Sequence, residues 1–180
     1  MITVFTGTNR KNSRSLLIAQ YIFNLLKKES NEEVRFFSLE DIPNDILHPE
    51  MYNSEGQSNA LFAIQEEFLI PANKLFFVVP EYNGGFPGIL KLFIDACSVN
   101  KYKESFHGGK KAALIGVSAG RSGGLRGLEA LTGILNYLTI SVLPNKLPVS
   151  SIEDQITNDQ LTDIETIKVI QKQVRDFIKF

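Results

Sequence analysis

The chain is short of the groups that make disulfides and metal sites: 180 residues contain one cysteine and two histidines. A lone Cys97 excludes an internal disulfide and a cysteine metal cluster. It lies in the apolar run LKLFIDACSV, where a thiol is expected to be buried and inert, and such cysteine usage suits a reducing cytoplasm. Neither charge sign is in excess. Nineteen Lys and Arg against 20 Asp and Glu leave a net charge of −1, which offers no cationic footprint for nucleic acid or a membrane surface. No apolar run approaches the ~20 residues needed to cross a bilayer. The opening MITVFTGTNR lacks a positive start and reads as a strand rather than a signal peptide. His48 and His107 fall in loop-like stretches and read as surface groups, so no catalytic acid or base and no metal site is expected.

An apolar content of 43% and a charged content of 22% are those of a globular protein, and the length predicts one domain over residues 1–180. Its elements alternate. Strands are predicted at 2–6, 34–39, 75–79, 112–118 and 139–143, the first, third and fourth almost continuously apolar, as strands covered on both faces are. Helical periodicity is read at 13–29, 57–70, 86–98 and 124–138. A last helix is read with Leu161, Ile164, Ile167, Ile170, Val174, Phe177 and Ile178 on one face. This alternation predicts a flavodoxin-like doubly wound α/β fold, a five-stranded parallel sheet of order 2-1-3-4-5 with helices on both faces. Ligands of such sheets sit beyond the carboxyl ends of the strands, where the order reverses. Loops 7–15, 80–88 and 118–124 then meet there, and the irregular stretch 40–56 flanks them.

Each loop carries its own chemistry. GTNRKNSRS, from Gly7 to Ser15, offers hydroxyls at Thr8, Ser13 and Ser15, guanidinium groups at Arg10 and Arg14, and the free N–H groups of a helix start. That set suits a phosphate, although Ser13 could equally be a helix cap and nothing more. Neither G-x-G-x-x-G nor a P-loop is present. PEYNGGFPGILK begins at Pro80, which ends its strand. Tyr82 offers an aromatic face, Asn83 and free backbone amides a polar edge, and Gly84-Gly85 a close approach to a flat ligand. Glu81 is not explained by a turn alone. SAGRSGGLRG, from Ser118 through Gly120, is either a simple turn or a small-residue wall against a ring. Jointly the three describe a mononucleotide site for a planar tricyclic base, which is FMN.

On these motifs the chain resembles the NADPH-dependent FMN reductase family, the flavodoxin-like group that includes chromate, azo-dye and quinone reductases. The family's G-S-x-R-x-x-S-x-N stands here as Gly7-Thr8-Asn9-Arg10-Lys11-Asn12-Ser13-Arg14-Ser15. Its P-E-Y-N-x-S-x-P-G-x-L-K and I-D stand as Pro80 to Lys91 and Ile94-Asp95, and its G-G-x-R as Gly123 to Arg126. The likeness covers roughly residues 1–145. It implies FMN held at its phosphate by Thr8, Arg10, Ser13 and Ser15, and at its ring by Pro80, Glu81, Tyr82, Asn83 and Gly84, with Ser118 and Gly120 nearby. Departures are Ser15 for asparagine, Gly85 for serine and Ala96 for an aromatic. The implied activity is hydride transfer from NADPH or NADH to FMN, then to a small acceptor such as a quinone, azo compound, free flavin or metal oxyanion. The implied assembly is a homodimer or homotetramer. Arg126 draws either a nicotinamide-nucleotide phosphate or a partner subunit. The alternative is a flavodoxin-type electron carrier without NAD(P)H turnover, which usually is strongly acidic where this chain is nearly neutral.

Overall fold

The computed structural model describes the chain from Met1 to Phe180 with the exception of Ser54. Strands β1 (Ile2–Thr6), β2 (Val34–Ser38), β3 (Lys74–Pro80) and β4 (Lys111–Val117) pair in parallel in the order β2-β1-β3-β4. Every residue of β1 is buried, as are the middle five of β3, while β2 at the edge is half-buried at its start. A strand covered on both faces must be apolar at successive positions, and ITVFT and LFFVV are. Along β3 the side chains alternate: Leu75, Phe77 and Val79 enter one core cluster, Phe76 and Val78 the other.

Helix α1 (Arg14–Glu29) packs on the face of Phe76 and Val78, burying Ile18, Ala19, Ile22 and Leu26 at helical spacing. On the opposite face lie α2 (Asn59–Ile64), which runs into a π-type turn over Gln65–Leu69, then α3 (Gly88–Cys97), the short α4 (Tyr102–Phe106) and α5 (Leu125–Tyr137). The excursion 40–56 is anchored there by Ile46 and Met51, with Leu47 and Tyr52 exposed. Cys97 is buried as expected, and burial pushes its thiol pKa well above the ordinary 9.0. Lys91 and Asp95 pair across one turn of α3 at 2.6 Å.

The fifth position in the sheet differs from the predicted 139–143. It is shared by β5 (Ser141–Val142) and β6 (Leu147–Val149), both parallel to β4. Ala112 faces Val142 and Ile115 faces Leu147, so three steps along β4 are matched by five along the edge and two residues bulge out. Pro144 and Pro148 lack the N–H a central strand needs, and an edge tolerates them. Buried Gln173 donates to the Asn145 carbonyl at 2.6 Å and accepts from its side-chain amide at 2.8 Å, tying the bulge to the last helix.

That helix, α6 (Ile164–Lys179), shares the face of α1. Its buried face is Ile170, Gln173, Val174 and Phe177, the last ring edge-on to Phe76 at 5.2 Å. The predicted stripe began too early. Ile164 is 65% exposed, and Leu161 belongs to β8 (Gln160–Leu161), which pairs antiparallel with β7 (Ile156–Thr157). Asp163 caps α6, accepting from Thr166 N–H at 2.7 Å, and that bond holds its carboxyl below the usual range.

Candidate functional site

The order β2-β1-β3 reverses at β1, and the loops after β1, β3 and β4 meet at the carboxyl ends of the strands. Two side-chain hydrogen bonds join them. The Tyr82 hydroxyl lies 2.8 Å from Thr8 Oγ1 in the first loop, and Ser122 Oγ in the third donates to Glu81 Oε2 at 2.5 Å. Consecutive residues of the central loop thus reach to opposite sides, which accounts for a glutamate and a tyrosine in a place where a turn alone needs neither.

Between the loops is a cleft of about 380 Å³. Its first-loop wall is made by Arg10, Asn12, Ser13, Arg14 and Ser15, its central wall by Pro80, Glu81 and Tyr82, and its third wall by Ser118 and Ala119, with Ile152 and Glu153 closing it. Ser13 caps α1, its Oγ accepting from Leu16 N–H at 3.2 Å and lying 3.0 Å from Ser15 Oγ. The first turn of α1 holds no acidic residue, so the positive end of the helix dipole faces the cleft without a carboxylate on its own turn. Thr8 lies behind this surface, wholly buried, accepting from Arg10 N–H at 3.1 Å. Hydroxyl donors, a helix N-terminus and two guanidinium groups form a donor set that suits a phosphate monoester.

Asn83 and Gly84, with φ of 51° and 76°, form a tight turn closed by paired backbone bonds between Tyr82 and Gly85 at 2.9 and 3.0 Å. They stand beside the cleft rather than in its wall. Arg126 reaches this turn, its Nη1 3.9 Å from where a Cβ on Gly84 would be. Gly120 also stands outside the wall, and its carbonyl accepts from Ser118 Oγ at 2.9 Å. The glycine pair 123–124 packs closely against the sheet. A Cβ on Gly123 would meet Pro148 at 2.7 Å, and Gly124 sits over Gly116 of β4. Among the described residues no cluster of His, Cys, Asp or Glu could hold a metal ion, and neither histidine lines the cleft.

Arg14, part of the donor set expected in the first loop, lines the cleft, and Ile152 and Glu153 line it without having been expected there. Ile152 and Glu153 carry no local signal. They arrive because Ser118 N–H donates to the Val149 carbonyl and Ile152 N–H to the Ser118 carbonyl, so the chain leaving β6 crosses the cleft. Gly127 was missed as well. It is the point where α5 meets the backbone of Gly85 and Phe86.

The family model for NADPH-dependent FMN reductase matches residues 1–154. The chain belongs to that family. It is therefore an oxidoreductase with FMN as cofactor, and the electron-carrier alternative is not favoured. A 2-hydroxy-1,4-benzoquinone reductase of Burkholderia is 30% identical over 94% of this chain and 90% of its own length. An NAD(P)H-dependent FMN reductase of Pseudomonas aeruginosa is 32% identical over 76% of this chain and 74% of its own. Among solved structures, the flavoenzyme NAD(P)H:(acceptor) oxidoreductase FerB of Paracoccus denitrificans superposes with a TM-score of 0.77. It covers 99% of this chain and 94% of FerB at 22% identity, which shows the flavodoxin-like fold. No helix among the described residues is long and apolar enough to cross a membrane.

The bond between Tyr82 and Thr8 couples the first loop to the central loop. Tyr82→Phe is expected to lower stability by about 1 kcal/mol, the usual worth of such a bond. It should also weaken FMN binding about threefold, read by titrating apoprotein with FMN. Unchanged affinity would show that the two loops are held independently.

Proposed function

We propose that this chain is a single flavodoxin-like domain over residues 1–180 that takes hydride from NADPH or NADH and reduces small electron-poor acceptors. Quinones come first, with azo compounds, free flavin and metal oxyanions as further candidates. The observation that carries the reading is the pair of hydrogen bonds made at Glu81, which accepts from Ser122, and at Tyr82, which joins Thr8; they unite three loops of the FMN reductase pattern around one cleft. Bound FMN supplies the hydride-accepting and hydride-donating chemistry. The protein supplies position and charge.

In this reading Arg10, Ser13 and Ser15 hold the phosphate, with Thr8 fixing the Arg10 amide and Tyr82 behind them. Pro80, Glu81 and Tyr82 offer backbone and side-chain edges to the ring. Asn83 and Gly84 shape the turn that presents them, and Ser118 with Gly120 borders the opposite side. No side chain in the cleft acts as acid or base, in keeping with a reaction whose bond changes belong to the cofactor. Arg126, exposed above Gly84, is placed for a nicotinamide-nucleotide phosphate or a neighbouring subunit.

Assembly as a homodimer or homotetramer is supported by an apolar groove of about 640 Å³ between α3 and α5, where Ile94, Ile134 and Leu138 lie beside Tyr137, which is 83% exposed. Cysteine usage supports the cytoplasm.

The kinetic test varies NADPH against a benzoquinone with FMN-loaded protein. Donor and acceptor sharing one open face predict parallel lines in the double-reciprocal plot. Intersecting lines would contradict a shared site.

A further inference from the structure

The cleft assigned to FMN carries no excess positive charge. Its ionisable wall residues are Arg10 and Arg14 against Glu81 and Glu153, two cations and two anions, so the formal sum is zero. A phosphate monoester carries about −1.5 to −2 near neutral pH, and a site built only to hold it tightly would keep its arginines free.

Arg14 is not free. Its Nε donates to Glu153 Oε1 and Oε2 at 3.2 and 3.0 Å, and Nη2 lies 2.9 Å from Oε2. Nη1 donates to Asp159 Oδ1 at 2.9 Å. All three nitrogens are engaged by carboxylates, and the two remaining N–H groups of the guanidinium are what the cleft can use. Asp159 stands at the tip of the hairpin β7–β8, where Asn158 and Asp159 have φ of 50° and 55° in a two-residue turn. The hairpin base is fixed. Thr162 N–H donates to the Gln155 carbonyl at 2.9 Å, Gln155 Nε2 to the Ser150 carbonyl at 2.5 Å, and Ile152 is buried. Thus the chain leaving β6 places two carboxylates on one cleft arginine, and Asp159 lies beyond residue 154, where the family match ends.

We propose that Glu153 and Asp159 set the affinity for the cofactor phosphate by competing with it for Arg14. The inference rests on the FMN reading of the cleft. A phosphate entering beside Arg14 meets the Glu153 carboxylate as a like charge and shares the guanidinium with it. The pair therefore weakens the phosphate part of flavin binding and leaves the ring part alone, so that bound FMN exchanges more readily than the loop 7–15 by itself would allow. These are affinity-determining residues that act through Arg14. Both carboxylates are largely exposed, so the competition is a moderate one, screened by salt.

The experiment titrates apoprotein with FMN and with riboflavin, which lacks the phosphate, following quenching of flavin fluorescence at low salt. The double variant Glu153→Gln, Asp159→Asn is expected to bind FMN about five- to tenfold more tightly than wild type, with riboflavin unchanged within about twofold. Arg14→Gln should weaken FMN and abolish the gain when combined with the double variant. Equal tightening of both flavins, no change in either, or weaker FMN in the double variant would overturn the proposal. Weaker FMN would mean that the carboxylates position Arg14 for the phosphate instead of competing with it. If wild-type protein bound neither flavin, the FMN reading itself would fail, an outcome distinct from equal affinities in wild type and variant.

Discussion

Gly127→Ala is expected to weaken FMN binding at least tenfold and to cost about 1–3 kcal/mol of stability, although alanine is the better helix former. A Cβ at Gly127 would lie 2.9 Å from both the Gly85 carbonyl carbon and the Phe86 nitrogen. Both are backbone, so no side chain can swing aside. Helix α5 is pinned to the sheet by buried Leu128, Leu131 and Leu135, which leaves the central loop to move. That loop is bonded to both of its neighbours through Tyr82 and Glu81, and a displacement of a few tenths of an ångström strains both bonds. The helix-propensity gain of about 1 kcal/mol for Gly→Ala is smaller than the packing cost. The contrast is internal to the helix. Gly133 has open space where its Cβ would be, so Gly133→Ala should stabilise by about 0.5–1 kcal/mol and leave FMN binding untouched. Thermal melts and FMN titrations of the two variants decide it, and equal behaviour would contradict the account of α5 as the support of the central loop.

Lys110→Met is expected to destabilise the protein by an amount that grows with pH. Lys110 is buried, and its Nζ donates to the carbonyls of Leu69, Ile70 and Ala72 at 3.1, 2.9 and 2.5 Å, closing the end of the π-type turn after α2. Burial pushes its pKa from the ordinary 10.5 down to about 8. Below pH 8 both native and unfolded chains hold the proton, and the native state bears the full cost of a desolvated ammonium. Between pH 8 and 10.5 the unfolded chain binds a proton that the native chain has released, so wild-type stability rises with pH. The rise is at most about 3 kcal/mol at ~1.4 kcal/mol per pKa unit. Methionine lacks both the cost and the bonds. At pH 7 the relief of the ammonium offsets most of the loss of three acceptors, for a net cost of about 1–2 kcal/mol. At pH 10 little remains to offset, and the cost should approach about 4 kcal/mol. Denaturant unfolding of both proteins at the two pH values measures this difference, and a difference that stays flat or narrows would sink it.

What could be read from the sequence follows physical lines. Strands β1, β3 and β4 were legible to within a residue because burial on both faces leaves a nearly uninterrupted apolar run, and ITVFT and AALIGVS admit few other readings. The loops at their ends followed from topology, which fixes where Tyr82 and Thr8 must meet. The edge was illegible for the converse reason. Pro144 and Pro148 look like strand breakers, and only the open side of an edge strand accepts them. Losing β6 meant losing Ile152 and Glu153, whose place in the cleft depends on where that strand ends. The stripe on α6 failed at Ile164 because the helix begins there, beyond the end of the core face. Lys110, in a glycine-rich turn beside Lys111, carries no sequence sign that it is buried.

The visible spectrum of protein mixed with FMN and freed of excess, recorded again after NADPH is added under argon, tests the central claim most directly. The account predicts that flavin absorbance stays with the protein and bleaches on adding NADPH. Flavin that is retained but ignores both NADPH and NADH, or flavin that is not retained at micromolar protein, would contradict it.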